Sequence, residues 1–442
     1  MPAFLEDFVH LINGKRDYLR ERVLKGKFNP LEDEFKKHMA AHWVPLNDLS
    51  SFSADISSLN VMAVDSSVYS SLLSSGGILY ISRGMAMYRG IVSKKMDVEV
   101  IFSREKMSSV NDFITAKMEL LEFEVALEAL KNGFDGDAIL IDGSLYGRAS
   151  HLPIEPRVDD QRDALLHYFR VYKNLLDFCH KSNVLLLGIS KESRSTFYRD
   201  YLLHIIFNEK IRMLDVEEED KELLGEIFFQ VLDSERIAFE RFYRLKKKYG
   251  VKLETIDVIL QELASPRPDY QLIARCAPSI GYTRPLLLGP SIRMAKRLRE
   301  YIKNPEEFVR KYFPRLSAER GDDFIQWASN VFKDILNFPS FVSFYVLLDL
   351  RDSPIRIDMP YYDKTLFEVG WPEPTGADIE CALKIVVTGY CGLNAYNIWL
   401  KSVDEKVRLR RKVADEIYLP YLEKMFGEKI IRGRGYRRVK YP

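Results

Sequence analysis

The chain has 442 residues, 47% hydrophobic and 29% charged, with 65 Lys and Arg against 64 Asp and Glu. That length fills a sizeable core in one large domain with insertions or in two domains. A net charge of +1 excludes a globally basic nucleic-acid coat, but not an enzyme whose basic groove is balanced by an acidic site.

Residues 4–42 read as helical and heavily charged, within an N-terminal helical region 1–54. The first strong strand is Leu59 to Asp65, an apolar run ending in a carboxylate. Two strand-like runs follow, Gly77–Ser82 and Asp97–Phe102, and their alternation predicts an antiparallel meander. Apolar residues at helical spacing predict a helix over Val110–Asn132, stopped at Asn132-Gly133. Ala138–Asp142 is a fully apolar strand ending in Asp-Gly, a helix covers about Asp160–Lys181, and Asn183–Ser190 is another buried strand with Lys191 just past its end. A short helix is expected next. Residues 205–265, rich in Glu, Lys and Arg, read as an inserted helical subdomain. Strand signals return near Pro278–Leu288 and as a hairpin at Phe341–Leu350 and Ile355–Met359. A long helical region runs from about Ala377 to Phe426, and a basic tail closes the chain from 427 to 442.

Three antiparallel strands followed by alternating helices and strands describe an α/β chain with an RNase H-like mixed sheet, flanking helices and a helical insertion, over residues 55–426. No Gly-rich turn follows the first strand and no phosphate-binding G-x-x-x-x-G-K-[ST] loop occurs, so a dinucleotide or P-loop fold is not expected. The four cysteines (Cys179, Cys276, Cys381 and Cys391) form no C-x-x-C pair and read as reduced core residues of a cytoplasmic protein. No leader and no run of about 18 apolar residues is found, so neither export nor a membrane span is expected.

In such a sheet the first and fourth strands pair, which makes Asp65 and Asp142 neighbours. The intervening helix then offers Glu119, Glu122 or Glu124. Glu122 is favoured, Glu119 held in reserve, and Glu124 points away from the apolar stripe. Converging carboxylates suit hard divalent cations for phosphodiester hydrolysis. Each residue alone also has a plain reading: a turn Asp, a solvated Glu. Lys191 is either a surface lysine or a phosphate contact, and Arg194 could serve the same anion. The lack of a G-x-S-x-G elbow, of an H-E-x-x-H motif and of any His after residue 204 argues against other hydrolases.

Val64-Asp65-Ser66-Ser67, the Glu-rich helix, Ile141-Asp142-Gly143-Ser144-Leu145 and Gly188-Ile189-Ser190-Lys191 together resemble the NurA nuclease family, in that order. Tyr345 and Arg356-Ile357-Asp358-Met359-Pro360 resemble its C-terminal hairpin. The resemblance spans about residues 55–425. It implies a homodimer with a central channel and a manganese-stimulated nuclease, with magnesium as the alternative cation. The implied activity is a 5′–3′ exonuclease on single- and double-stranded DNA with single-strand endonuclease action. It also implies a HerA-type hexameric translocase as partner, a link to the double-strand-break repair nuclease complex, and a role in end resection during homologous recombination. It makes Asp65, Glu122 and Asp142 the metal-binding carboxylates; Tyr396 and Lys191 are expected to be catalytic, and Lys191, Arg194 and Arg356 to contact nucleic acid. The family places a Tyr and, eight residues on, a metal-binding His on its C-terminal helix. Tyr396 and Asp404 have that spacing, so Asp404 stands where the family has His; its other reading is a helix-start residue. Two rivals stay open. A non-catalytic DNA-binding scaffold would use the basic tail, which has six Lys or Arg and no acid from Lys429 to Lys440. A phosphoryl transferase would need the Gly-rich loops this chain lacks.

Overall fold

Strand β1 (Trp43–Pro45) precedes a meander of β2 (Val61–Leu72), β3 (Ile78–Met87) and β4 (Ile91–Ile101), paired antiparallel in succession. Helix α1 (Met107–Lys131) leads to β5 (Ala138–Asp142) and the five-residue α2 (Leu145–Ala149). Then come α3 (Ala164–Lys181) and β6 (Leu185–Lys191). β5 lies parallel between β2 and β6. The core order β4-β3-β2-β5-β6 therefore puts the first strand of the set in the middle, beside the fourth. That is the arrangement an RNase H-like sheet requires, and the chain is an α/β protein with a mixed sheet. The computed structural model describes residues 3–25, 30–103, 107–151 and 153–433.

The sheet continues past β6. β7 (Gly281–Thr283) and β8 (Leu286–Leu288) are short, and β9 (Pro339–Leu347) and β10 (Ile355–Thr365) form the expected hairpin. β10 pairs antiparallel with β6. The central strands are apolar runs because both faces are covered. On one face Met62, Val64, Ile139 and Ile141 pack with Phe123 of α1 and Phe169 of α3. On the other, Val61, Ala63, Leu140 and Ile189 pack under α4 (Glu380–Gly389) and α5 (Ile398–Val407). Each fully buried aliphatic side chain of this kind contributes roughly 1.5–3 kcal/mol.

The chain divides into two compact units, residues 42–199 with 267–442, and residues 1–41 with 200–266. The second is helical, with helices such as Glu32–Ala41, Glu218–Leu232 and Ile237–Tyr249. In it, His38 approaches Glu209 at 3.3 Å and Lys210 pairs with Glu34.

Several expectations need correction. The helix after β6, Phe197–Arg212, has 16 residues and is not short. The helical region from 377 to 426 is a series of separate helices, with Tyr390 and Ala395–Asn397 lying between α4 and α5. Only Cys179 and Cys276 are buried; Cys381 and Cys391 are at the surface, and all four are free. Of the basic tail, Arg432 is docked, donating to Tyr69 and Asp415; residues 434–442, with Tyr436 and Tyr441, lie outside the described residues. Among the described residues no helix is long and apolar enough to cross a membrane.

Candidate metal centre

β2 and β5 pair in register through Val64 and Ile141, so Asp65 and Asp142 stand level, one step further along. Side chains alternate between faces of a strand. Asp65 follows Val61 and Ala63, and Asp142 follows Ala138 and Leu140, so both face the side covered by α5. α5 packs across β2 and carries Asp404 in its interior, two turns after its start. Asn397 caps that start by accepting from the Leu400 amide at 3.1 Å. Asp404 is therefore no helix-start residue. Tyr396 sits just before the helix, not on it, and hydrogen-bonds to Asp142.

The electrostatics follow from this crowding. Asp65 is 8% exposed. Burial, then the charges of Glu122, Asp142 and Asp404, push its carboxyl up to about 8, against one opposing hydrogen bond from the Ser66 amide. Burial and the neighbouring Asp142, Asp65 and Asp404 also push the Tyr396 phenol up, which keeps it protonated and donating. The Lys191 ammonium donates to Asp142 Oδ2 at 3.3 Å and lies 4.5 Å from the centre of the Tyr396 ring. Its side chain remains 58% exposed. A cation is thus available at the rim for an incoming anion.

Glu122 occupies a different position. Ser66, the residue after Asp65, points to the opposite face of β2 and donates to Glu122 Oε1 at 2.5 Å. Arg148 Nη2 lies 2.5 Å from Glu122 Oε2. Both carboxylate oxygens are engaged, so Glu122 acts on Asp65 through its field and not as a ready ligand. Burial pushes its carboxyl up to about 7, with Arg148 and Ser66 pulling the other way. Glu119 accepts from Tyr168 at 2.8 Å and sits 2.9 Å from His151 Nε2. Burial raises its pKa, but His151, Arg148 and Tyr168 outweigh burial and leave it below the ordinary value. Glu124 is turned away as expected, toward Lys95 and His167.

Of the proposed nucleic-acid contacts, Lys191 and Arg194 are exposed. Arg356 is not: it is 2% exposed and donates through Nε to Asp358 Oδ1 at 2.8 Å. It forms an internal pair and is withdrawn as a DNA contact. Arg148, Ser144 and Asp358 were not foreseen. The signal for Asp358 was present: Arg356 and Asp358 alternate with Ile355 and Ile357, a polar pair on one face of an otherwise apolar strand. Arg148 left no such mark.

The donors fit a hard divalent cation. Asp65, Asp142 and Asp404 supply only oxygen, and the displaced Asp65 carboxyl reports negative charge that a cation offsets. Among the described residues no three His, Cys, Asp or Glu side chains form a finished cage, so the three aspartates would have to close around the ion.

A model of the NurA domain matches residues 59–409, more than three-quarters of the chain. Among solved structures, the NurA nuclease from Sulfolobus solfataricus aligns over 97% of this chain and 98% of its own, at 13% identity and a TM-score of 0.52. At that identity it shows the shared fold. A structure of NurA with manganese aligns over 96% of this chain and 98% of its own, at 14% identity and a TM-score of 0.41. No curated protein matches the chain. With the matched region enclosing Asp65, Asp142 and Asp404 together, the chain belongs to the NurA family.

Proposed function

We propose that this chain is a divalent-cation-dependent deoxyribonuclease that uses manganese, with magnesium as the alternative. The observation that carries this reading is the meeting of Asp65, Asp142 and Asp404 on one face of the sheet, beside Lys191 and Tyr396. When bound, the cations supply Lewis acidity toward the phosphodiester and its attacking water. The chain's own groups do the rest. Asp65, Asp142 and Asp404 hold the cations, and Glu122 completes the set if it gives up Arg148. Tyr396 donates to Asp142 and keeps that carboxylate oriented. Lys191, exposed at the rim, steadies the scissile phosphate, and Arg194 extends the cationic edge.

Family membership supports the finer reading. It is a 5′–3′ exonuclease on single- and double-stranded DNA with single-strand endonuclease activity, working as a homodimer with a HerA-type hexameric translocase in end resection. We assign the nuclease domain to residues 55–426. The test is cleavage of end-labelled DNA in manganese, magnesium or EDTA, with Asp142→Asn alongside. Cutting in manganese that falls about a hundredfold or more in the variant supports the reading. DNA binding without cutting under either metal replaces it with the scaffold reading.

A further inference from the structure

We propose that Asp358 is the positioning residue that fixes the turn carrying Asp142, a role that rests on reading Asp142 as a cation ligand. Asp142 ends β5, and the chain reverses at once through Gly143 and Ser144 into α2. Gly143 has φ +118°, which an L side chain rarely adopts. The turn lies directly on β6: a Cβ at Gly188 would stand 2.7 Å from the Gly143 carbonyl oxygen and 2.8 Å from the Leu145 amide nitrogen. The Gly143 amide donates to the Ile189 carbonyl of β6 at 2.9 Å and Arg148 donates to the Asp142 carbonyl at 2.9 Å; Asp358 adds the side-chain anchor that ties Ser144 to the neighbouring hairpin.

Asp358 lies on β10 opposite Gly188 and is 0% exposed. Its two oxygens divide the work. Oδ2 accepts from Ser144 Oγ at 2.5 Å, in the turn that follows Asp142, and from the Tyr146 amide at 3.2 Å, in the first turn of α2. Oδ1 accepts from Ser343 Oγ at 2.7 Å and from Arg356 Nε at 2.8 Å, both in the β9–β10 hairpin. Ser144 Oγ in turn accepts from the Gly147 amide at 2.8 Å, which caps α2. A buried carboxylate with four donors, one of them a guanidinium, is a fixed point. Among the described residues, Ser144 supplies the one side-chain hydrogen bond from the turn to Asp358. The ligand is thus oriented by a group that never touches the ion.

The two oxygens make the role separable from mere stability. Ser144→Ala and Ser343→Ala each remove one hydroxyl from the same carboxylate, one on the turn side and one on the hairpin side. The measurement is manganese affinity of the full chain, by electron paramagnetic resonance titration, with thermal unfolding alongside. Positioning predicts about tenfold weaker manganese binding in Ser144→Ala, near-normal binding in Ser343→Ala, and recovery in Ser144→Thr, which keeps a hydroxyl. Asp358→Asn weakens binding at least as much if it folds; the serine variants decide the matter if it does not. Wild-type affinity in Ser144→Ala overturns the proposal, and so does an equal loss in Ser343→Ala. Asp142→Asn runs as the control. If it binds manganese like the wild type, the reading of Asp142 itself falls, a result distinct from a failure at Ser144.

Discussion

Asp65 is held in surroundings that disfavour its charge. Its folded pKa is about 8, against an ordinary value of 3.8, because burial and three acidic neighbours disfavour its charge. Between those values the folded chain holds a proton that the unfolded chain has released. Its contribution to stability is therefore complete below about pH 4 and is lost as pH rises through about 8. In metal-free protein the melting temperature should fall between about pH 5 and pH 8, and Asp65→Asn should flatten that fall. Glu122, pushed up to about 7, adds to the same trend, so the informative quantity is the difference between variant and wild type across the range. Equal slopes in the two proteins would show that Asp65 is not held protonated. A proton on Asp65 also competes with the ion, so manganese affinity should rise with pH up to about 8.

At the scale of elements, the sheet was legible because its signals are local. Apolar runs ending in Asp65 and Asp142, and the helical spacing between them, predicted the pairing that puts the two side chains level. Strand lengths were less legible: β2 runs on to Leu72 because pairing with β3 extends it, a tertiary effect. The face on which Glu122 lies was not legible either. Helical spacing places it toward the sheet, but not on the far side from Asp65, and its partner Arg148 comes from a five-residue helix 26 positions on. Arg356 is an internal residue and not a nucleic-acid contact because its acceptor, Asp358, is buried with it, a pairing along β10 that residue type alone does not reveal. The close seating of the Asp142 turn on β6 gives an element-scale prediction. Gly188→Ala puts a methyl against backbone atoms at 2.7–2.8 Å, so the turn must lift. The expected outcome is a loss of about 1–3 kcal/mol of stability together with weaker manganese binding. Lost stability with manganese affinity intact would show that the turn lifts without moving Asp142.

For the whole molecule, the three candidate ligands lie far apart in the chain, at positions 65, 142 and 404, on β2, β5 and α5. An ion held by all three joins elements that the unfolded chain cannot bring together, so binding and folding are linked. At a free manganese concentration of a hundred times Kd, that linkage stabilises the folded chain by about 2.7 kcal/mol, enough to raise the melting temperature by several degrees. Asp65→Asn and Asp142→Asn should each abolish most of the rise. The acidic segment Val216–Asp220 is the natural internal comparison, because its Glu217 and Asp220 already pair with Lys248 and leave little field for a cation. A manganese-induced rise that persists in both aspartate variants would place the ion outside the sheet. It would remove the physical basis for cleavage at this centre, whatever DNA binding the chain retains.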